Sequence, residues 1–371
     1  MKSYRLKLTA LTPIHIGTGE VYEPTNFVID SGFLYEFDEI EFYKNLNDND
    51  KKIFNQTVNK KDSLMQIYGF IKNHKEIAKK VSYKKVKVTS GIDKDYEKKI
   101  AKVVQIEGGK KGPKRNIFNQ FIIEKSVRDI NSNRVYIPGS SIKGSISTAY
   151  QEYIFKRYDK KELEKLFENR NPSQNFFKNL SISDTMIQKA YSMIGYALNK
   201  ERFEDDELGP KTIVETIYSN SINQTVLNTT ITIKDFDFKG HKLEIETIKK
   251  ACNDHYMPIF RQQFEPYTKF KGKKVDDYTN EYFSDRFYET YKDFNLKENQ
   301  FLLRVGKYSQ ARAVTIEGIR EIRVKISGGG PKRKPNKWET LDQETTTWMF
   351  GSTQDSNQNL LPFGWVVCEI L

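Results

Sequence analysis

The chain has 371 residues, with 61 Lys plus Arg against 49 Asp plus Glu and a formal net charge of +12. That excess points to a polyanionic partner, nucleic acid before an anionic membrane surface, with a merely solubilising basic surface as the bland alternative. Two distant cysteines, Cys252 and Cys368, exclude a disulfide framework and a cysteine zinc site, and no apolar run approaches the ~20 residues of a membrane span.

At the start of the chain, Tyr4, Leu6, Leu8 and Ala10 alternate with Arg5, Lys7 and Thr9, which predicts a strand. The same segment lacks the hydrophobic stretch of a signal peptide, so a cytoplasmic location is expected. His15-Ile16-Gly17-Thr18-Gly19-Glu20 reads as a turn-rich loop. A hairpin follows, Asn26–Ile29 and Phe33–Phe37 about the Ser31-Gly32 turn. Residues 38–80 read as short helices and Val81–Val88 as a strand. Between Ser90 and Asn133, a glycine- and lysine-rich tip lies between two β-like arms, which predicts a protruding hairpin; a solvated loop is the alternative.

Arg134–Gly144 then leads into a helical pattern over Ser145–Phe167, and Asn171-Pro172-Ser173 marks a break. That break divides the chain into 1–172, carrying the basic insertion at about 90–133, and 173–371. In the second part, Leu180–Asp184, 212–233, Phe301–Gly306, Ile319–Ile326 and Leu361–Ile370 read as strands. Residues 243–295 read as a mainly helical, aromatic-rich insertion, and Ser327–Pro335 as a flexible basic loop. Strands and helices in this order predict an α+β chain of two sheet-and-helix domains.

Several segments suit phosphate. In Ile137-Pro138-Gly139-Ser140-Ser141-Ile142-Lys143-Gly144, glycines permit close backbone approach, and a helix start offers N–H groups beside Ser140, Ser141 and Lys143. An ordinary capped helix start is the bland reading. Gly17 and Gly19 form a second candidate loop, beside which His15 could stack or act as a general base. Arg304, Lys307 and Arg312, with Lys332 and Arg333, form a third. Lys110, Lys111, Lys114 and Arg115 crown the insertion. Glu204–Glu207 reads as a solvated acidic loop. With no HD dipeptide, HExxH or paired acid and histidine, neither a two-metal nuclease centre nor a cofactor is expected.

Leu11-Thr12-Pro13-Ile14-His15-Ile16-Gly17-Thr18-Gly19 resembles the opening of the RAMP superfamily of CRISPR proteins, and Tyr136–Gly144 resembles its second hallmark. Leu303–Gly306 and Pro362–Trp365 resemble its glycine-rich closing segment. In order, spacing and length the chain is similar to the large RAMP subunit of the Csm-type (type III-A) complex. The resemblance implies two modified ferredoxin-like (RRM-like) domains with helical insertions and a protruding basic, thumb-like hairpin. It implies a non-catalytic subunit that caps the 3′ end of crRNA and serves crRNA maturation and complex assembly in antiviral defence. Its neighbours would be the backbone RAMP subunit, the small helical subunit, nearby target RNA and trimming nucleases.

Two departures bear on this. Target-cleaving RAMP subunits carry a loop Asp where this chain has Pro24, and Ser145-Ile146-Ser147 stands where related chains often carry Arg. Three rivals follow: an RNA-cleaving RAMP protein using His15 as base, a multi-copy backbone subunit, and a membrane-surface protein, for which no basic amphipathic helix is evident.

Overall fold

The computed structural model describes the chain except for residues 61–63, 101–103, 108–114, 119–120, 168–174, 202–210, 265–266, 271–272, 277–278 and 327–336; for strands in 104–118, 267–276 and around 325–337 only the backbone is described. The chain opens with β1 (Lys2–Ala10), β2 (Gly17–Tyr22), β3 (Phe27–Asp30) and β4 (Phe33–Phe37). Short helices follow: α1 (Glu39–Lys44), α2 (Asp48–Val58), α3 (Leu64–Asn73) and α4 (Lys75–Lys80), then β5 (Ser82–Val88) and α5 (Ser90–Lys99). The insertion contributes β6 (Val104–Glu107) and β7 (Arg115–Phe118), and β8 (Ile123–Ser126) leads to α6 (Gly139–Arg157) and α7 (Lys160–Phe167). Next come β9 (Leu180–Ile182), β10 (Met186–Lys189), β11 (Tyr191–Glu201), β12 (Lys211–Tyr218), β13 (Val226–Ile233) and α8 (Ile245–Gln262). The remainder is β14 (Tyr267–Phe270), β15 (Lys273–Asp276), α9 (Thr279–Tyr282), α10 (Asp285–Tyr291), β16 (Gln300–Arg304), β17 (Ile322–Ile326), β18 (Lys337–Leu341), β19 (Thr346–Gly351), β20 (Leu361–Pro362) and β21 (Trp365–Ile370).

Two large sheets organise these elements. The first runs β10-β13-β1-β21-β16, with β9 also on β13, and is antiparallel throughout. Its segments β1, α6, β9, β13, α8 and β21 have the βαββαβ connectivity and strand order of a ferredoxin-like sheet, with β16 as an added edge. The alternation in β1 is carried into burial: Leu6, Leu8 and Ala10 are core residues, while Arg5 stays exposed. Helix α6 packs on α8 and β9, burying Ile142, Ile146, Ala149 and Ile154 at helical spacing. The second sheet runs β2-β8-β12-β11-β5-β4-β3, with β19 and β20 joined through β11. In it β11 is shared, bordering β12 on one side and β5 then β19 on the other.

Each sheet takes strands from both sides of residues 172 and 173, so the two sheets do not follow a division of the chain at that point. β1 is the reason: it leaves the rest of the first part to pair with β13 and β21. Of His15–Glu20, expected as a loop, residues 17–20 instead belong to β2, which pairs with β8. The arms of the insertion do pair, β6 with β7, although its tip is not described. Ser327–Pro335, expected as a loop, falls between two paired strands, β17 and β18, and itself lies outside the described residues.

Between α6 and α8, Glu152 is 4% exposed, and its carboxylate meets His255 Nδ1 at 2.9 Å, the Glu317 N–H at 2.8 Å and Lys156 Nζ at 2.8 Å. Burial alone would raise its pKa; these partners outweigh burial and bring it from 4.5 to about 2. A depressed carboxylate stabilises the fold above its unfolded pKa, and that contribution is lost as pH falls from about 4.5 toward 2. It amounts to roughly 3 kcal/mol. Glu152→Gln should therefore lower stability at pH 7 and flatten the acid limb of urea-denaturation midpoints over that window. A parallel acid limb in wild type and variant would contradict the assignment.

Candidate RNA-binding cleft

Three glycine-bearing segments meet where the two sheets abut. They enclose a cleft of about 720 Å³, lined by Gly17, Gly19, Glu20 and Val21 of β2, Glu124 and Lys125 of β8, Ser141, Gly144, Ser145 and Thr148 of α6, and Arg304, Gly306, Lys307 and Ser309 after β16. Backbone hydrogen bonds tie the first and third of these segments to each other and to Gly364, and Ser145 Oγ of α6 donates to Arg304 O at 2.9 Å. The Lys307 N–H donates to the His15 carbonyl at 3.0 Å, Val305 N–H to Gly364 O at 2.8 Å, and Gly364 N–H to Pro13 O at 2.9 Å. Gly306 has φ +99°, and a Cβ there would stand 2.6 Å from the His15 carbonyl oxygen, so only glycine permits the crossing.

The α6 start is built differently from a free phosphate loop. Gly139 packs on β9, where a Cβ would lie 2.1 Å from Ile182 O, and its N–H donates to Asp184 Oδ1 at 2.8 Å. A carboxylate thus already occupies the positive end of the helix. Ser140 is exposed but outside the cleft lining. Lys143 turns away from the cleft, its Nζ donating to Leu180 O at 2.7 Å. Ser141 and Gly144 do face the cleft. With Ser145 and Thr148 they form one face of α6 by the i, i+3, i+4, i+7 rule, and nothing lies within 4 Å of where a Gly144 Cβ would be.

Three further expected ligand residues are buried structural groups. His15 is 1% exposed; its Nδ1 lies 2.7 Å from Glu215 O, and its Nε2 lies 3.2 Å from Glu124 without completing a hydrogen bond. Burial holds its pKa below the ordinary value, although Glu215 and Glu124 pull the other way. Arg304 is also 1% exposed, with Nε donating to Phe363 O at 2.9 Å and its guanidinium 4.8 Å from the Trp365 ring centre. Arg312 donates to Glu344 at 3.0 Å and to Gln262. Buried cations need such partners, and these side chains are committed to them. Lys110, Lys111, Lys114, Lys332 and Arg333 lie outside the described residues, and of Arg115 only the backbone is described.

The lysines lining the cleft are paired, whereas the Glu20 carboxylate is exposed there with no ion pair among the described residues. Lys307 reaches both oxygens of Glu124, at 2.7 and 2.8 Å, and Lys125 reaches Glu36 at 2.6 Å. Glycine backbone and hydroxyls therefore dominate the lining, with Lys307 able to exchange a carboxylate for another anion. Sequence reasoning missed Ser145, Thr148 and Glu124. The helical spacing from Ser141 was the available signal for the first two; nothing in the sequence marked Glu124.

Beneath the cleft, Glu215 is fully buried. It accepts from Tyr22 Oη at 3.0 Å, the Ser126 N–H at 3.1 Å and Arg128 Nε at 3.0 Å. Burial works against the Arg128 charge, but Glu215 outweighs it and holds the guanidinium above its ordinary pKa. Among the described residues, no group of three or more His, Cys, Asp or Glu is placed to hold a metal ion, and no helix is long and apolar enough to cross a membrane.

The chain is similar to known proteins over nearly its whole length. A relative from Methanocaldococcus jannaschii, described as "CRISPR system Cms protein Csm5", is 24% identical over 97% of this chain and 87% of its own. A chain in a cryo-EM structure of a Csm–crRNA–target RNA ternary complex of a type III-A CRISPR-Cas system superposes with a TM-score of 0.60 at 16% identity, covering 99% of this chain and 100% of that one. The crystal structure of T. onnurineus Csm5 gives 0.52 at 16% identity, over 97% and 99%. The model of the RAMP superfamily matches residues 7–311, and the chain belongs to that superfamily.

Proposed function

We propose that this chain is a non-catalytic crRNA-binding subunit of a type III-A (Csm) CRISPR complex, present in one copy and capping the 3′ end of the guide. One observation carries the reading: three glycine-bearing segments, distant in sequence, meet around a single cleft lined by glycines, hydroxyls and a few charged side chains, Lys307 among them. Such a lining recognises a sugar–phosphate chain without reading bases, which suits a protein serving many guide sequences. The relative named Csm5 and the fold shared with a chain of a Csm–crRNA–target RNA complex support the same assignment. Its partners would then be crRNA, the backbone RAMP and small helical subunits, nearby target RNA and the nucleases that trim the guide, with a cytoplasmic role in crRNA maturation. Enclosure of His15 disfavours the RNA-cleaving rival, because a general base must reach its proton.

Fluorescence anisotropy of the full chain with two unrelated single-stranded RNAs tests the proposal. Both RNAs should bind with similar affinity, and log K should fall linearly with log salt at about −0.7 per phosphate contacted. Lys307→Ala should weaken both RNAs alike. Glu124→Gln should tighten both several-fold, since Lys307 no longer has to leave a full carboxylate. A flat salt response, strong preference for one sequence, or cleavage lost in His15→Ala would sink the proposal.

A further inference from the structure

On the opposite side of the first turn of α6 from the cleft, four lysines gather, none of them in an ion pair among the described residues. Lys143 and Lys234 lie close enough to repel, and burial and then Lys234 lower the Lys143 pKa. Lys178 stands 5.4 Å from the Phe236 ring centre and 4.8 Å from that of Phe238. Lys239, at the tip of the turn closed by Phe238 and His241, extends across to the Lys165 carbonyl at 2.5 Å. Phe236 is 52% exposed, with the Lys178 ammonium over its ring.

None of the neighbouring carboxylates pairs with these four lysines, although Asp184 and Asp237 keep their charge. Asp184 caps Gly139, Asp235 pairs with Lys242 at 3.8 Å, and Asp237 accepts the Gly240 N–H at 2.8 Å. Glu162 serves both Lys165 at 2.9 Å and His241 at 2.7 Å. Among the described residues, Lys143, Lys178, Lys234 and Lys239 form no ion pair. Four lysines without ion pairs beside an exposed ring, offset only in part by the Asp184 and Asp237 carboxylates, favour a ligand that is both polyanionic and aromatic.

We propose that the Lys234–Lys242 turn, with Lys143 and Lys178, is a second single-stranded RNA surface, on which an unpaired base stacks on Phe236 between phosphates held by the lysines. The inference rests on the RNA-binding reading of the cleft and extends it, since one turn of α6 presents Ser141 and Gly144 to the cleft and Lys143 to this ledge. A strand leaving the cleft over the exposed Ser140 arrives at Lys143 and Lys234. Stacking on one ring with phosphate contacts is tolerant of sequence, as the cleft is. An acidic protein segment could satisfy the lysines but has no base to place on Phe236.

The test compares a short RNA that fills the cleft alone with one about twice as long, both single-stranded and unstructured, on the full chain. Phe236→Ala should weaken the long RNA about tenfold and leave the short one unchanged. Lys178→Gln with Lys234→Gln should reduce the salt slope for the long RNA by about 1.4, or 0.7 for each lost contact. A 4-thiouridine-substituted long RNA should photo-crosslink to the peptide carrying Phe236. All three positions are exposed, so circular dichroism should match wild type. If these variants bind the long RNA as wild type does while Lys307→Ala still weakens both, the ledge is not an RNA surface and the cleft reading stands. If wild type binds neither RNA, the cleft reading itself has failed.

Discussion

Arg128→Ala is expected to cost about 3–5 kcal/mol of folding stability, because it leaves the Glu215 carboxylate buried without its hydrogen-bonded counter-charge, with Lys84 the nearby cation that remains. The remaining donors, Tyr22 Oη and the Ser126 N–H, both reach Oε2, so Oε1 loses Nε and Nη2 of Arg128 together. The guanidinium also bridges to Asn133 O at 2.5 Å and Ser192 Oγ at 3.2 Å, tying the segment after β8 to β11. An exposed pair of the same sign arrangement, Lys44 with Glu41, sets the contrast: its side chains are 63% and 52% exposed, and Lys44→Ala should leave the urea midpoint nearly unchanged, because solvent screens the pair. Adding Glu215→Gln to Arg128→Ala should restore part of the loss by removing the stranded charge. Urea denaturation with an unchanged m-value reads all three. An Arg128→Ala midpoint near that of Lys44→Ala would show that Glu215 is solvated rather than enclosed.

The difference between these two pairs also explains what the sequence could and could not reveal. β1 announces itself because one face meets the core and the other does not, so polarity alternates. β11 gives no such signal. It sits inside the second sheet, five consecutive residues from Ile194 to Leu198 are buried, and alternation vanishes when both faces are covered. Part of the glycine pattern was legible because close backbone crossings demand glycine, as at Gly139, Gly306 and Gly364. The basic residues beside them were not, since a sequence cannot distinguish an arginine at a surface from one enclosed by partners far along the chain. Arg304 finds Phe363 and Trp365, Arg312 finds Glu344, and His15 finds Glu215, 200 positions away. Expecting every cation near a glycine loop to face the ligand therefore overcounted ligands and overlooked Ser145 and Thr148, whose small hydroxyls carry no charge signal.

Gly306→Ala and Gly144→Ala should move stability in opposite directions, although both glycines line the same cleft. At Gly306 the backbone is at φ +99° and the new methyl would meet a carbonyl oxygen at 2.6 Å. Strain of about 1–3 kcal/mol adds to a contact that only backbone movement can relieve. That movement pulls against the 3.0 Å bond from the Lys307 N–H to His15 O, so the clasp opens and Lys307 loses its place. Gly306→Ala should therefore lower stability by at least about 2 kcal/mol and weaken unrelated RNAs equally. At Gly144 the helix is ordinary and the space is open. Alanine there should stabilise α6 by about 0.5–1 kcal/mol, because glycine is the poorer helix former. If RNA backbone lies against that bare turn, the same methyl must reduce affinity, so a gain in thermal stability should accompany a loss in binding. Gly144→Ala that gains stability and binds RNA as wild type does would mean that the strand does not run along this face of α6.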